Sequence, residues 1–177
     1  MKFTTTNIEG VIVVEIEPRL DERGFFSRSF CYHEFGAQGL QTQFLQANIS
    51  FNHDAGTLRG MHWQEAPHSE VKVVRCTRGR IYDVALDLRR DSPTYLQWSG
   101  IELSAGNVRA LYIPEGCAHG YLTLTPCAEI HYLVSTCYSP THERGARWND
   151  PAFGIEWPQV PKHIISSRDD SHPLWRP

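Results

Sequence analysis

The chain has no long apolar run, no block of like charges and no paired cysteines, and each absence narrows what it can be. Without roughly 20 consecutive apolar residues no helix can span a bilayer, so no membrane is expected. Seventeen Lys and Arg are interspersed with 20 Asp and Glu for a formal net charge of −3, which predicts no nucleic-acid or membrane-surface partner. Five cysteines (Cys31, Cys76, Cys117, Cys127 and Cys137) are odd in number and lack C-x-x-C spacing. Lying in strand-like runs, they read as buried thiols of a reducing compartment rather than as a disulfide framework. The start, Met1-Lys-Phe-Thr-Thr-Thr6, carries no apolar h-region, so no signal peptide is expected and the chain reads as cytoplasmic. No G-x-G-x-x-G signature is present, and no repeat or linker interrupts the 177 residues. With 41% hydrophobic and 21% charged residues, one globular domain over 1–177 is expected.

What is there is mostly strand. Runs at Gly10–Glu17, Glu70–Cys76, Arg80–Leu88, Thr94–Leu103, Arg109–Ile113, Gly120–Leu124 and Ala128–Val134 are separated by turn chemistry such as Arg78-Gly79, Asp91-Ser-Pro93 and Pro114-Glu-Gly116. Many short strands at this spacing predict an all-β sandwich, jelly roll or barrel. Helix is expected only briefly, around Tyr32–Ala37 and in the C-terminal tail. The period of two then sorts the polar residues. Tyr132 shares a face with Ala128, Ile130 and Val134, and Leu133 faces away; Lys72 goes with Val74 and Cys76, and Asp83 with Ile81 and Ala85. These polar tips on apolar faces could meet in one cavity.

The densest chemistry is in Gly56-Thr-Leu-Arg59-Gly-Met-His62-Trp-Gln64, followed by Lys72. Cationic and ionisable groups pointing into an apolar barrel cost free energy unless a ligand or partner satisfies them. Pro114-x-Gly116-x-x-His119 has the form of the second cupin motif, in which a turn delivers a histidine into a small barrel. The place of the first motif reads His62-Trp63-Gln64, one histidine short. A stable divalent site wants at least three well-placed ligands, and Gln64 is a poor one, so no metal is expected. His119 could equally be a hydrogen-bonded core residue.

Together, Asp21-Glu-Arg23-Gly-Phe-Phe26, Leu58-Arg59-Gly-Met-His62-Trp-Gln64, Lys72-Val-Val-Arg-Cys-Thr-Arg-Gly79, Ile113-Pro-Glu-Gly-Cys-Ala-His119-Gly120, Glu143-Arg-Gly-Ala-Arg-Trp-Asn-Asp-Pro151 and Ile165-Ser-Ser-Arg-Asp169 resemble, in order, the dTDP-4-dehydrorhamnose 3,5-epimerase family. The resemblance runs from about Gly10 to Pro173. It implies an all-β cupin-type double-stranded β-helix (a jelly-roll barrel) with short peripheral helices, no metal and no cofactor. The implied substrate is a nucleotide-diphosphate-linked 4-keto-6-deoxy sugar, epimerised at carbons 3 and/or 5. Epimerisation beside a ketone needs a base, stabilisation of the enolate, and an acid on the far face. His62 matches the base, and imidazole titrates near working pH. Asp169 matches its orienting carboxylate, Lys72 the cation at the carbonyl oxygen, and Tyr132 the opposing acid. Arg59 matches the diphosphate contact. Gln46 and Asn48 match polar contacts on the same side, His119 and Asp83 pocket residues around the sugar, and Tyr138 an aromatic position near the nucleotide. Arg23 and Phe26 match a segment that reaches a neighbouring subunit, which implies a homodimer with exchanged N-terminal strands.

Read alone, several of these residues have structural alternatives. Ser166-x-x-Asp169 is also a capping-box pattern, and Asp170 stands next to Asp169. Lys72 could be a strand-edge charge and Tyr132 a core tyrosine. Two positions depart from the family pattern: Ser27-Arg28-Ser29 stands where a glutamate is usual, which opens the choice of nucleotide to CDP or GDP sugars, and Leu133 stands where lysine is frequent. The competing functions are a 3-epimerase, a metal-dependent cupin oxygenase, and a sugar-nucleotide binding module without catalysis.

Overall fold

A computed structural model describes residues 1–176. In chain order the elements are β1 (Lys2–Thr5), β2 (Ile12–Glu15), β3 (Arg19–Asp21), β4 (Gly24–Phe26), α1 (Tyr32–Ala37), β5 (Gln46–Asn52), β6 (Thr57–Gln64) and β7 (Lys72–Arg78). They continue with β8 (Arg80–Asp87), β9 (Trp98–Ser104), β10 (Arg109–Ile113), β11 (Cys117–Thr123), β12 (Ala128–Val134), β13 (Glu143–Gly145), β14 (Ile164–Ile165) and α2 (Ser167–Asp170). One sheet runs β1-β2-β10-β7-β12-β5 and the other β13-β6-β11-β8-β9, with β14 added alongside β6 in parallel. The remaining ladders are antiparallel, the pattern of a jelly roll of the cupin type.

The alternation of side chains builds three apolar layers. Val74, Cys76, Leu111, Ile113 and Ile130 from the first sheet meet Ile81, Ala85, Leu103, Cys117 and Tyr121 from the second between the sheets. The outward residues of the first sheet, Val71, Val73, Ala110 and Tyr112, pack under Phe35 of α1. Those of the second, Met61, Val84, Leu86 and Ala118, lie under Phe153, Trp157 and Trp175 of the C-terminal segment. Strands covered on both faces read as continuous apolar runs, as β8 and β10 do. Fully burying one such Leu, Ile or Val contributes about 1.5–3 kcal/mol, so the three layers carry the stability.

Two details, the start of one strand and the burial of the cysteines, differ from the sequence expectation. The strand expected from Thr94 starts only at Trp98, because buried Asp87 gathers the chain before it into a turn. Its carboxylate accepts from Arg89 (2.8 Å to each oxygen), Ser92 Oγ (2.5 Å) and Thr94 Oγ1 (2.7 Å). Burial pushes the Asp87 pKa up, yet these donors overcome it and hold it well below the carboxylate range. Among the cysteines, Cys76 and Cys117 are buried, Cys31 and Cys127 are half-buried, and Cys137 is exposed in the loop after β12. The hairpin β3–β4 pairs with neither large sheet, and its apolar side chains stand in solvent, with Leu20 81% and Phe26 71% exposed. Among the described residues no helix is long and apolar enough to cross a membrane.

Candidate active site

Between the two sheets opens a cavity of about 540 Å³. Arg59, His62, Lys72, His119, Tyr132, Tyr138, Gln46, Asn48 and Asp169, all singled out in the sequence, line it. Strict alternation along β6 would put Arg59 and His62 on opposite faces. A β-bulge prevents that: Tyr121 pairs with Arg59 and His119 with His62, so β6 spends one residue more than β11 over the same stretch. Gly60 occupies the bulge at φ +113°, and a Cβ there would lie 2.6 Å from Gly120 Cα. Glycine at both 60 and 120 lets the strands close while two functional side chains turn into one cavity.

His62 is held from outside the barrel strands. β14 runs parallel to β6 and delivers α2, whose Asp169 Oδ1 lies 2.8 Å from His62 Nε2. The Gly60 N–H donates to the other carboxylate oxygen at 3.3 Å. Burial pushes the Asp169 pKa up, but the His62 hydrogen bond, the His62 charge and the Gly60 N–H outweigh it and leave it below the usual range. Ser166 does cap α2, its Oγ accepting from the Asp169 N–H at 3.1 Å. Capping and dyad therefore coexist: the cap fixes the backbone that aims the carboxylate. Asp170 is exposed, so the partner of His62 is Asp169. With Nε2–H donated to a carboxylate, Nδ1 keeps the lone pair.

Tyr132 comes from the facing sheet, so the imidazole and the phenol enter from opposite walls. Burial, and the charge of Glu70, push the Tyr132 pKa up. Lys72 lies on β7 between β10 and β12, an interior strand, and is 8% exposed, which removes the strand-edge reading. Its Nζ pairs with Glu70, a cavity residue the sequence reading passed over. Arg59 is steadied by Asn52, also missed, whose Oδ1 accepts from Nε at 2.9 Å and leaves the outer guanidinium edge for the cavity. At the rim Glu143 accepts from the Tyr138 hydroxyl at 2.6 Å and from Arg168 at 2.5 Å. Both Glu143 and Arg168 lie in runs that carry the family resemblance, but neither was given a role in the site.

Asp83 needs a correction. Expected around the sugar, it is fully buried behind His119, whose Nε2 lies 2.7 Å from its Oδ1, and it does not line the cavity. Burial pushes its pKa up, against the opposing charge and hydrogen bond of His119. Arg23 and Phe26 also stand outside this chain's cavity, on the β3–β4 hairpin, with Arg23 paired to Asp21 at 2.5 Å. Arg28 lies 3.9 Å from Glu34. Leu133 faces away from Tyr132, into the layer under α1.

At the place of the first cupin motif, the Gln64 side chain is taken up by hydrogen bonds within the chain. The Gln64 amide donates to His68 O and Glu70, and its oxygen accepts from the Ser139 N–H at 2.6 Å. His119 commits one ring nitrogen to Asp83. Facing an orienting carboxylate, an imidazole with a free lone pair opposes a half-buried phenol across a cavity lined by Arg59, Lys72 and, at the rim, Arg168. In an all-β cupin-type barrel, that is the equipment of an isomerase that moves protons.

Comparison with known proteins makes the class particular. The family model for dTDP-4-dehydrorhamnose 3,5-epimerase matches residues 5–176, and the chain belongs to that family. It is 44% identical over 172 residues to a dTDP-4-dehydrorhamnose 3,5-epimerase of Salmonella typhimurium, covering 96% of this chain and 92% of the relative. The crystal structure of the Bacillus anthracis epimerase with TDP and pyrophosphate bound superposes with a TM-score of 0.94 at 41% identity, over 98% of this chain and 99% of that one. A 3′-monoepimerase from Streptomyces bikiniensis, in complex with dTDP-quinovose, gives a TM-score of 0.89 at 34% identity, over 96% and 85% of the two chains.

Proposed function

We propose that this enzyme epimerises a dTDP-linked 4-keto-6-deoxy sugar at carbons 3 and 5, within deoxysugar biosynthesis. The observation that carries the reading is the His62–Asp169 couple on one wall of the cavity with Tyr132 on the other. His62 Nδ1 takes the proton from the carbon beside the ketone, and Asp169 balances the imidazolium that results. Negative charge then moves onto the former carbonyl oxygen, which Lys72 stabilises in its water-poor corner. Tyr132 returns a proton from the opposite face, which inverts the carbon. Every atom moved is a proton, so the cycle is redox-neutral and needs no cofactor.

Arg59 contacts the diphosphate, where a planar guanidinium suits paired phosphate oxygens. Gln46, Asn48 and Tyr138 serve the nucleotide side, and His119, braced by Asp83, the sugar. A homodimer completes the site: the β3–β4 hairpin, with Phe25 and Phe26 exposed, reaches the partner and carries Arg23 to its nucleotide. Sedimentation equilibrium of the purified chain distinguishes this dimer from a monomer. The thymidine assignment follows the relatives, whose structures hold TDP and dTDP-quinovose.

The test is proton NMR with dTDP-4-keto-6-deoxyglucose in heavy water. Deuterium entering carbons 3 and 5 supports the reading. Entry at carbon 3 alone makes the enzyme a monoepimerase, the activity borne by the Streptomyces bikiniensis relative. No exchange, with the fold intact and CDP and GDP sugars equally inert, rejects catalysis on this substrate class.

A further inference from the structure

The dyad has a third neighbour that this chemistry does not use. His172 follows α2 and lays its ring over Gly145, which pairs with His62 across β13 and β6. A Cβ at position 145 would stand 2.1 Å from His172 Nε2, so only glycine leaves the ring its place. The His172 and His62 rings meet edge to face, centroids 6.1 Å apart at 76°. His172 Nε2 is buried and has no hydrogen-bond partner among the described residues, a state that asks for an explanation. One ligand atom from each of His62, Asp169 and His172 lies within 4.8 Å of the others.

We propose that His62, Asp169 and His172 form a binding site for a divalent transition-metal ion, zinc foremost, and that the bound ion switches the enzyme off. Two imidazoles and a carboxylate suit Zn²⁺, Ni²⁺ or Cu²⁺ rather than Mg²⁺ or Ca²⁺, with a water completing a tetrahedron. Ligand distances of about 2.0–2.2 Å require donor atoms roughly 3.3 Å apart. The His62–Asp169 pair, at 2.8 Å, opens slightly; His172 closes in, carried by a segment beyond a four-residue helix. The ion takes the place of the proton between Nε2 and Oδ1. With metal on Nε2, the neutral imidazole carries its proton on Nδ1, so the lone pair that abstracts the substrate proton is gone. The site shares only His62 with the cupin metal position and differs from it in every other ligand.

The test uses the full chain without substrate. Cobalt(II) titration followed by visible absorption, and zinc by calorimetry, should show one ion per chain in tetrahedral coordination. Zinc should then suppress deuterium exchange into the sugar, and EDTA should restore it. His172→Phe keeps a ring against Gly145 and removes the ligand atom. Its basal exchange should persist while metal affinity falls by at least about tenfold, the lower bound for losing even a supporting group of a metal site. Absence of the cobalt spectrum overturns the proposal. So does undiminished binding or inhibition in His172→Phe, which would place the ion elsewhere, for instance on the His68–His142 pair with ring centroids 4.3 Å apart. Because ion binding is read without substrate, failure of the epimerase reading leaves the metal site standing; only the inhibition rests on that reading.

Discussion

Asp169→Asn isolates the dyad with little change of volume. The wild-type carboxylate is 4% exposed, accepts from His62 at 2.8 Å and from Gly60 at 3.3 Å, and must offset a positive imidazole once the substrate proton has moved. A hydrogen bond to a charged group contributes about 1.5–3 kcal/mol net. At about 1.4 kcal/mol per factor of ten, the rate constant for proton removal should drop roughly 10- to 150-fold. If the new amide turns its NH₂ toward Nε2, the tautomer reverses, Nδ1 becomes a donor and the loss is larger. Deuterium exchange under saturating substrate reads the rate, and calorimetry with dTDP reads binding, which should be unchanged because Asp169 faces the imidazole. A stability titration gives a second readout. The folded-state pKa of Asp169 lies below its ordinary value, so the ionised group stabilises the fold above the ordinary carboxylate range. That contribution is lost as pH falls through the folded value, and the asparagine variant should show a flatter acid limb. An exchange rate within about twofold of wild type, less than roughly 0.4 kcal/mol, would refute the reasoning.

Other perturbations separate the remaining roles. Tyr132→Phe should still wash deuterium out of labelled substrate yet form little epimer, and normal product formation removes Tyr132 from the mechanism. Arg59→Ala should weaken dTDP binding by about 10- to 100-fold, the loss of a charge-assisted contact, while the turnover of saturated enzyme changes far less; equal losses in both would contradict a purely anchoring guanidinium. Native protein treated with a thiol reagent should label first at exposed Cys137. Burial pushes Cys76 up to about 11 and Cys117 up to about 12, so both should react only on unfolding, and mass spectrometry of the labelled peptides checks the order.

The period of two made much of this legible. Tyr132 and Lys72 lie on the faces that alternation assigned them, and Leu133 turns away from Tyr132. Alternation has no means of detecting the bulge at Gly60, which alone lets Arg59 and His62 share a cavity. Nor does it tell a residue that lines a cavity from one that braces the liner. Asp83 and Asn52 do the bracing, and their roles emerge only from hydrogen bonds to residues distant in the chain or on another strand. Arg168 and His172 looked like ordinary polar residues because their neighbours, Glu143 for one and Gly145 and His62 for the other, come from elsewhere in the sequence. The strand from Thr94 was misjudged at its start, since β-branched and aromatic residues there are overridden by a carboxylate that collects local hydroxyls.

The dyad joins residues 107 positions apart, and its far half rests on a two-residue strand and a single helical turn. Ile164 and Ile165 hold that segment to β6 with few backbone bonds, and Ile164 is 39% exposed. Elements with so little buried apolar surface open at free energies well below that of global unfolding. Catalytic competence is thus a local equilibrium superimposed on a sturdier barrel. Mild denaturant should extinguish activity while the circular dichroism of the sheets is unchanged, and amide hydrogens of β14 should exchange long before those of β8.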